Sequence, residues 1–119
     1  MSQPIVIFVD DSETALASTK IATQGLPIEV KQYISAGDAL NDLNAGVVPS
    51  LIITDLNMPV MNGLELIKNI RDMGSDIPVV IMSAHTEPEY IKSAEELGVE
   101  NYLLKPFDFI KFINIISTL

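Results

Sequence analysis

Five apolar, β-branched runs punctuate the chain: PIVIFV (4–9), IEVKQYI (28–34), SLIITD (50–55), IPVVIM (77–82) and VENYLL (99–104). They do not alternate cleanly between apolar and polar, the reading expected of strands covered on both faces of a sheet. Helical-period patterns lie between and after them, near 12–24, 36–45, 62–73, 87–97 and 108–118. Gly25, Gly46, Gly74 and Gly98 each fall just past such a pattern, where a left-handed C-cap favours glycine. Asp11 or Ser12, Asn62, Thr86 and Asp108 stand where N-caps belong. Five strand–helix units predict an α/β fold: a doubly wound, five-stranded parallel sheet with five helices. Glu29, Lys31 and Gln32 interrupt the second run and predict an edge strand, while the other four read as central or nearly so.

The last helical pattern departs from the others. At about 100° per residue, Phe109, Ile110, Phe112, Ile113, Ile115 and Ile116 cover more than half the wheel. One buried face needs a stripe of roughly 100° or slightly more. Some of these side chains are therefore expected at the surface, as a face for a homodimer or another partner.

Composition narrows the class. The 119 residues make one domain, 1–119, and 48% hydrophobic content argues against disorder. No apolar run approaches the roughly 20 residues that span a bilayer, so membrane insertion is not expected. The start, MSQPIVIF, lacks the basic segment of a signal peptide. Cysteine is absent, which rules out disulfides, thiolate metal sites and a catalytic thiol. Together these features favour the cytoplasm. A net charge of -9, from 16 acidic and 7 basic side chains, opposes direct nucleic-acid binding. Part of that excess, if gathered, can hold a divalent cation.

In an open parallel sheet, sites form outside the carboxyl ends of the strands. Asp10 and Asp11 end the first run, Asp55 ends the third, Ser83 follows the fourth and Lys105 follows the fifth. Singly, each has a structural reading: a helix cap for Asp10 or Asp11, a turn before Pro59 for Asp55, a local backbone bond for Ser83, surface charge for Lys105. Their convergence on one crevice carries the functional reading. Three carboxylates with oxygen neighbours suit Mg²⁺ better than zinc. A carboxylate beside such a metal can attack phosphorus and form an aspartyl phosphate, and Asp55 is the central one. Mg²⁺ and Lys105 would offset charge on the transferred phosphoryl oxygens, and Ser83 could donate to another.

"VDD" (9–11), "DLNMPVMNG" (55–63), "SAH" (83–85) and "YLLKPF" (102–107) resemble a response-regulator receiver domain of the CheY-like superfamily, in its order and spacing. The resemblance covers nearly the whole chain and implies a flavodoxin-like sheet of strand order 2-1-3-4-5. It implies that Asp55 is the phosphoacceptor and contributes to the metal site. Asp11 then resembles the direct metal ligand, Asp10 the one acting through water, and Asn57 the donor of a backbone carbonyl. Ser83 matches the hydroxyl that contacts the phosphoryl group, Lys105 the ammonium on the acyl phosphate, and Tyr102 the aromatic switch that follows Ser83. His85, Ala84 and Asn57 flank the site, where side chains govern access and the lifetime of the phosphoryl group. Pro59 and Gly63 shape the loop after the third strand, and Lys105–Pro106 resembles the family's cis peptide.

The implied function is a phosphorylation-activated switch of a two-component system. It would take its phosphoryl group from a histidine kinase or phosphotransfer protein and act through a separate or fused output partner. Phosphotransfer and autodephosphorylation would be weak activities, with no metabolic turnover. Two alternatives are a pseudo-receiver that binds without phosphorylation and a haloacid-dehalogenase-type phosphohydrolase. The DxDx[TV] signature of the latter is missing, since Leu56 and Asn57 follow Asp55. GxGxxG and GxxxxGK[ST] are missing as well, leaving no visible cradle for a dinucleotide or nucleoside triphosphate.

Overall fold

The computed structural model describes residues 3–84, 88–105 and 108–119. Strands and helices alternate as β1 (Ile5–Val9), α1 (Glu13–Ala22), β2 (Glu29–Tyr33), α2 (Ala36–Asn44), β3 (Leu51–Asp55), α3 (Gly63–Asp72), β4 (Val79–Ser83), α4 (Pro88–Glu96), β5 (Asn101–Leu104) and α5 (Phe109–Ile116). All paired strands run parallel, in the order β2-β1-β3-β4-β5. β2 is an edge strand, as its polar residues require. β5 is the other edge rather than a central strand, and only Leu103 within it is fully buried.

The alternation of side chains along β1 divides the core. Val6 and Phe8 face one side, where Leu16 of α1 and Phe112 of α5 close over them. Ile7 and Val9 face the other, against Ala36 and Ala39 of α2, Leu66, Ile67 and Ile70 of α3, and Ala94 of α4. A sheet buried on both faces has no need of polar alternation, which is why β3 and β4 are apolar until their last residues.

Local chemistry fixes the helix ends. Ser12, Ser35, Asn62 and Asp108 are the N-caps, and Asn62 forms a reciprocal capping box with Glu65. Ser12, rather than Asp11, caps α1. Gly25, Gly46, Gly74 and Gly98 adopt φ of 82°, 108°, 84° and 81°, as left-handed C-terminal positions should. Thr86, expected to cap α4, lies outside the described residues.

The wide apolar arc of α5 is mostly absorbed. Phe112 is fully buried against Phe8, with ring centroids 5.8 Å apart, and Ile113, Ile115 and Ile116 pack partly on the same core. Ile110, 76% exposed, and Leu104, 53% exposed, are what remains at the surface beside Phe109.

Gly63 does not need a positive φ; it needs the absence of a side chain. A Cβ there would lie 2.3 Å from the Asp55 carbonyl oxygen, because the Gly63 N–H donates to the Leu56 carbonyl at 2.9 Å and draws α3 onto the end of β3. We expect Gly63→Ala to cost about 1–3 kcal/mol, in the range of overpacked sites. Thermal unfolding measures this; a variant melting with the parent would mean that the loop yields freely.

Candidate metal and phosphoacceptor site

The register of the sheet assembles the site. Val9 lies opposite Thr54 and Asp55 opposite Met82, while Ser83 pairs with Leu104. The residues that end β1, β3, β4 and β5 therefore surround one crevice. Asp10 is held there by its N–H, which donates to the Tyr33 carbonyl at 3.1 Å, and by its Oδ1, which accepts from the Ser12 N–H at 2.9 Å. Asp55 Oδ1 accepts from the Leu56 N–H at 2.8 Å. The Lys105 N–H donates to the Ser83 carbonyl at 3.0 Å, which aims the lysine back across the strand ends.

The Lys105 ammonium sits between two carboxylates, 2.8 Å from Asp10 Oδ2 and 3.4 Å from Asp55 Oδ2. Asp10 is 1% exposed and Asp55 7%. Two carboxylates so buried and so near each other need a cation. Burial first, and the Asp10 charge second, push the Asp55 carboxyl up; Lys105 and the Leu56 N–H oppose this without cancelling it. Burial alone would lower the Lys105 ammonium, but its pairing with Asp10 and Asp55 outweighs that and raises it.

Asp11 is exposed at the rim, and its carboxylate completes a triad: one oxygen each from Asp10, Asp11 and Asp55 lies within 4.8 Å of the others. The partner of the buried Asp10 Oδ2 is the Lys105 ammonium at 2.8 Å. All three donors are hard carboxylate oxygens. The set fits a small divalent cation such as Mg²⁺, and Lys105 occupies part of the same charge well.

Asn57 is exposed two residues beyond Asp55, Ala84 is exposed directly after the buried Ser83, and Pro59 is exposed in the loop that Gly63 closes. Tyr102 is half-buried one strand away, opposite Ile81, and its hydroxyl donates to the Ile91 carbonyl of α4 at 3.0 Å. Burial, with Glu95 nearby, raises its phenol. His85 and Pro106 lie outside the described residues.

Two features escaped the sequence reading. Lys105 pairs more closely with Asp10 than with Asp55, a contact no spacing rule announces. Val60, fully exposed in the Asn57 loop, has φ of 69°, which a β-branched residue rarely adopts. The Pro59–Val60–Met61 run carries no glycine to signal it; only the tight turn from the Pro59 carbonyl to the Met61 N–H, 2.8 Å, shows the constraint.

Comparison with known proteins bears on the same residues. The family model described as "Response regulator receiver domain" matches residues 6–117. The "Transcriptional regulatory protein PrrA" of Mycobacterium leprae is 34% identical over 90% of this chain and 46% of its own length. The "DNA-binding transcriptional regulator NtrC" of Escherichia coli is 31% identical over 98% of this chain and 25% of its own. The chain thus spans half or less of these two curated relatives. A crystal structure of a response regulator receiver protein from Pseudomonas putida superposes with a TM-score of 0.88 at 28% identity, covering 100% of this chain and 99% of that one.

Two outcomes follow from the charge arrangement. Because the ammonium competes with a metal for Asp10 and Asp55, Lys105→Met should bind Mg²⁺ about tenfold more tightly than the parent, read by calorimetric or amide-shift titration. Weaker binding would contradict the competition. Because Asp55 has a raised folded-state value, its ionisation works against the fold: its contribution is fully favourable below 3.8 and is lost as pH rises through the raised value. Metal-free Asp55→Asn should therefore melt a few degrees above the parent at pH 7, with the gap closing towards pH 4.

Proposed function

The chain belongs to the response regulator receiver family, and from that premise we propose that Asp55 takes the phosphoryl group and that Asp10, Asp11, Asp55 and the Asn57 carbonyl hold the Mg²⁺ it needs. Receiver domains are phosphorylation-activated switches of two-component systems. The carrying observation is the Lys105 ammonium poised between Asp10 and Asp55 at the carboxyl edge of the sheet.

In the proposed reaction, an Asp55 carboxylate oxygen attacks the phosphorus of a phosphohistidine or small phosphodonor. The new O–P bond replaces the P–N bond of the phosphohistidine, whose leaving imidazole takes a proton from solvent, or the P–O bond of a small acyl phosphate donor, which leaves as its carboxylate. Bound Mg²⁺ supplies neutralising charge to the phosphoryl oxygens. Lys105, already 3.4 Å from Asp55 Oδ2, pairs with the acyl phosphate, and the Ser83 hydroxyl turns towards a phosphoryl oxygen. Asn57 and Ala84 are exposed beside Asp55 and Ser83 and would flank the approach of the water that later hydrolyses the acyl phosphate, and His85, next in sequence, is proposed to influence its rate. No phosphomonoester turnover is assigned.

The output is proposed to be binding. Tyr102 connects the crevice to α4 through its bond to the Ile91 carbonyl, so repacking of Ser83 and Tyr102 changes that surface. Leu104 and Ile110 are apolar and exposed, suited to a second copy of the chain or to an output partner, separate or fused. The domain spans 1–119 in this reading, its donor is a histidine kinase or phosphotransfer protein, and its compartment is the cytoplasm. Among the described residues no helix is long and apolar enough to cross a membrane.

Acetyl phosphate with Mg²⁺ should add one phosphoryl group, located on Asp55 by intact mass and borohydride trapping. Asp55→Asn should abolish it, while Lys105→Ala should retain metal binding but lose most of the phosphorylation-dependent change. An equally labile group acquired by Asp55→Asn at the parent rate would overturn the assignment. Binding of a partner with no phosphoryl uptake by the parent would favour the pseudo-receiver reading. Ile110→Lys should weaken association seen by sedimentation with beryllofluoride and leave Asp55 phosphorylation intact.

A further inference from the structure

The helix that must respond to the site is lightly attached. Of the nine residues of α4, Ala94 alone is fully buried, with Tyr90 partly packed on the core. Its position therefore depends on few contacts, and among the described residues two side chains from outside the helix bond its backbone or that of the residue just past its end. One is Tyr102, whose hydroxyl bonds the Ile91 carbonyl midway along it. The other is Arg71, in the last turn of α3.

Arg71 gathers three carbonyl oxygens from two segments. Its Nε donates to the Leu97 carbonyl at 2.8 Å, and its Nη1 donates to the Ser75 and Ile77 carbonyls at 3.1 and 2.8 Å. Leu97 is the first residue past α4. The chain turns there through Gly98, while the Gly98 N–H donates to the Glu95 carbonyl and the Val99 N–H to the Ala94 carbonyl, both at 3.0 Å. The guanidinium thus completes the cap of α4 and places positive charge at its C-terminus. It lies against Gly98, where an added Cβ would meet its Nη2 and Nε at 3.8 and 3.9 Å. Ser75 and Ile77 belong to the connection into β4, at the amino end of the sheet, opposite the carboxylate crevice.

We propose that Arg71 is a positioning residue of the switch: it pins the far end of α4 to the α3–β4 connection, so that changes at the site swing the helix about Leu97. This deepens, and rests on, the reading of the domain as a switch that acts through Tyr102 and α4. Tyr102 can transmit because it stands three residues before Lys105. Arg71 cannot, because all of its partners lie at the other pole. A planar fork holding three carbonyls resists translation of the helix end, yet a single bonded carbonyl still allows it to rotate.

Amide hydrogen exchange with and without Mg²⁺ and beryllofluoride tests this in the parent, Arg71→Met and Arg71→Lys; the last keeps the charge without the fork and serves should Arg71→Met not fold. In the parent, exchange should change at 89–91, while protection of Gly98 and Val99 stays within about twofold. In the variants, activation should lower protection of Gly98 and Val99 roughly tenfold, with the rate of Asp55 phosphorylation within about twofold of the parent. Variants responding over the same residues as the parent would reduce Arg71 to an ordinary structural clamp and overturn the proposal. So would a parent in which Gly98 and Val99 change as much as 89–91. A parent that binds beryllofluoride without any change along α4 would overturn the switch reading and this proposal together.

Discussion

One ammonium between two buried carboxylates organises the active end of this molecule. Asp10 and Asp55 terminate neighbouring strands, and a parallel sheet brings them together whether or not their charges agree. Lys105, delivered by the edge strand β5, neutralises one of the two charges, and Asp11 at the rim adds a third carboxylate. With three carboxylates and one ammonium, the crevice keeps a surplus of negative charge that only a further cation can relieve. In the proposed reaction a divalent metal would supply that cation, and Lys105 would yield to it before pairing with the acyl phosphate.

The rest of the fold holds that cluster in place and carries its changes away. Gly63 lets α3 press against the Asp55 backbone, which limits how far Asp55 can move. Hydrogen bonds from the Leu56 and Ser12 N–H groups fix one oxygen of Asp55 and of Asp10, so that their Oδ2 atoms remain for cations. Core packing stiffens the sheet, whereas α4 buries Ala94 fully and Tyr90 partly and, among the described residues, is tethered at Ile91 by Tyr102 and just past its end at Leu97 by Arg71. A small rearrangement at the strand ends finds its softest outlet there.

Local features were legible in the sequence because local chemistry causes them. The strands, the glycine C-caps and the caps at Asn62 and Asp108 follow from periodicity and from single-residue preferences. The carboxyl-end rule also gathered Asp10, Asp55 and Lys105 correctly. Strand order came from the family resemblance, and periodicity placed β5 too centrally because its apolar residues resemble those of a covered strand. The α5 wheel showed an excess of apolar surface without showing which arc faced the sheet. Phe112 fills the core against Phe8, and Phe109 and Ile110 are the apolar residues of the helix left exposed. The closer pairing of Lys105 with Asp10, the left-handed Val60 and the reach of Arg71 to Leu97 depend on tertiary geometry, and no pattern along the chain encodes them.

The central claim is that Lys105 is a resident counter-ion which yields to the metal and then follows the phosphoryl group. A high-resolution crystal structure with Mg²⁺ and beryllofluoride on Asp55 tests it most directly. The account predicts a metal among Asp10, Asp11, Asp55 and the Asn57 carbonyl, Lys105 Nζ beyond about 4 Å from Asp10, and Nζ bonded to a fluoride. A Lys105 still 2.8 Å from Asp10 Oδ2 with the metal bound would contradict it.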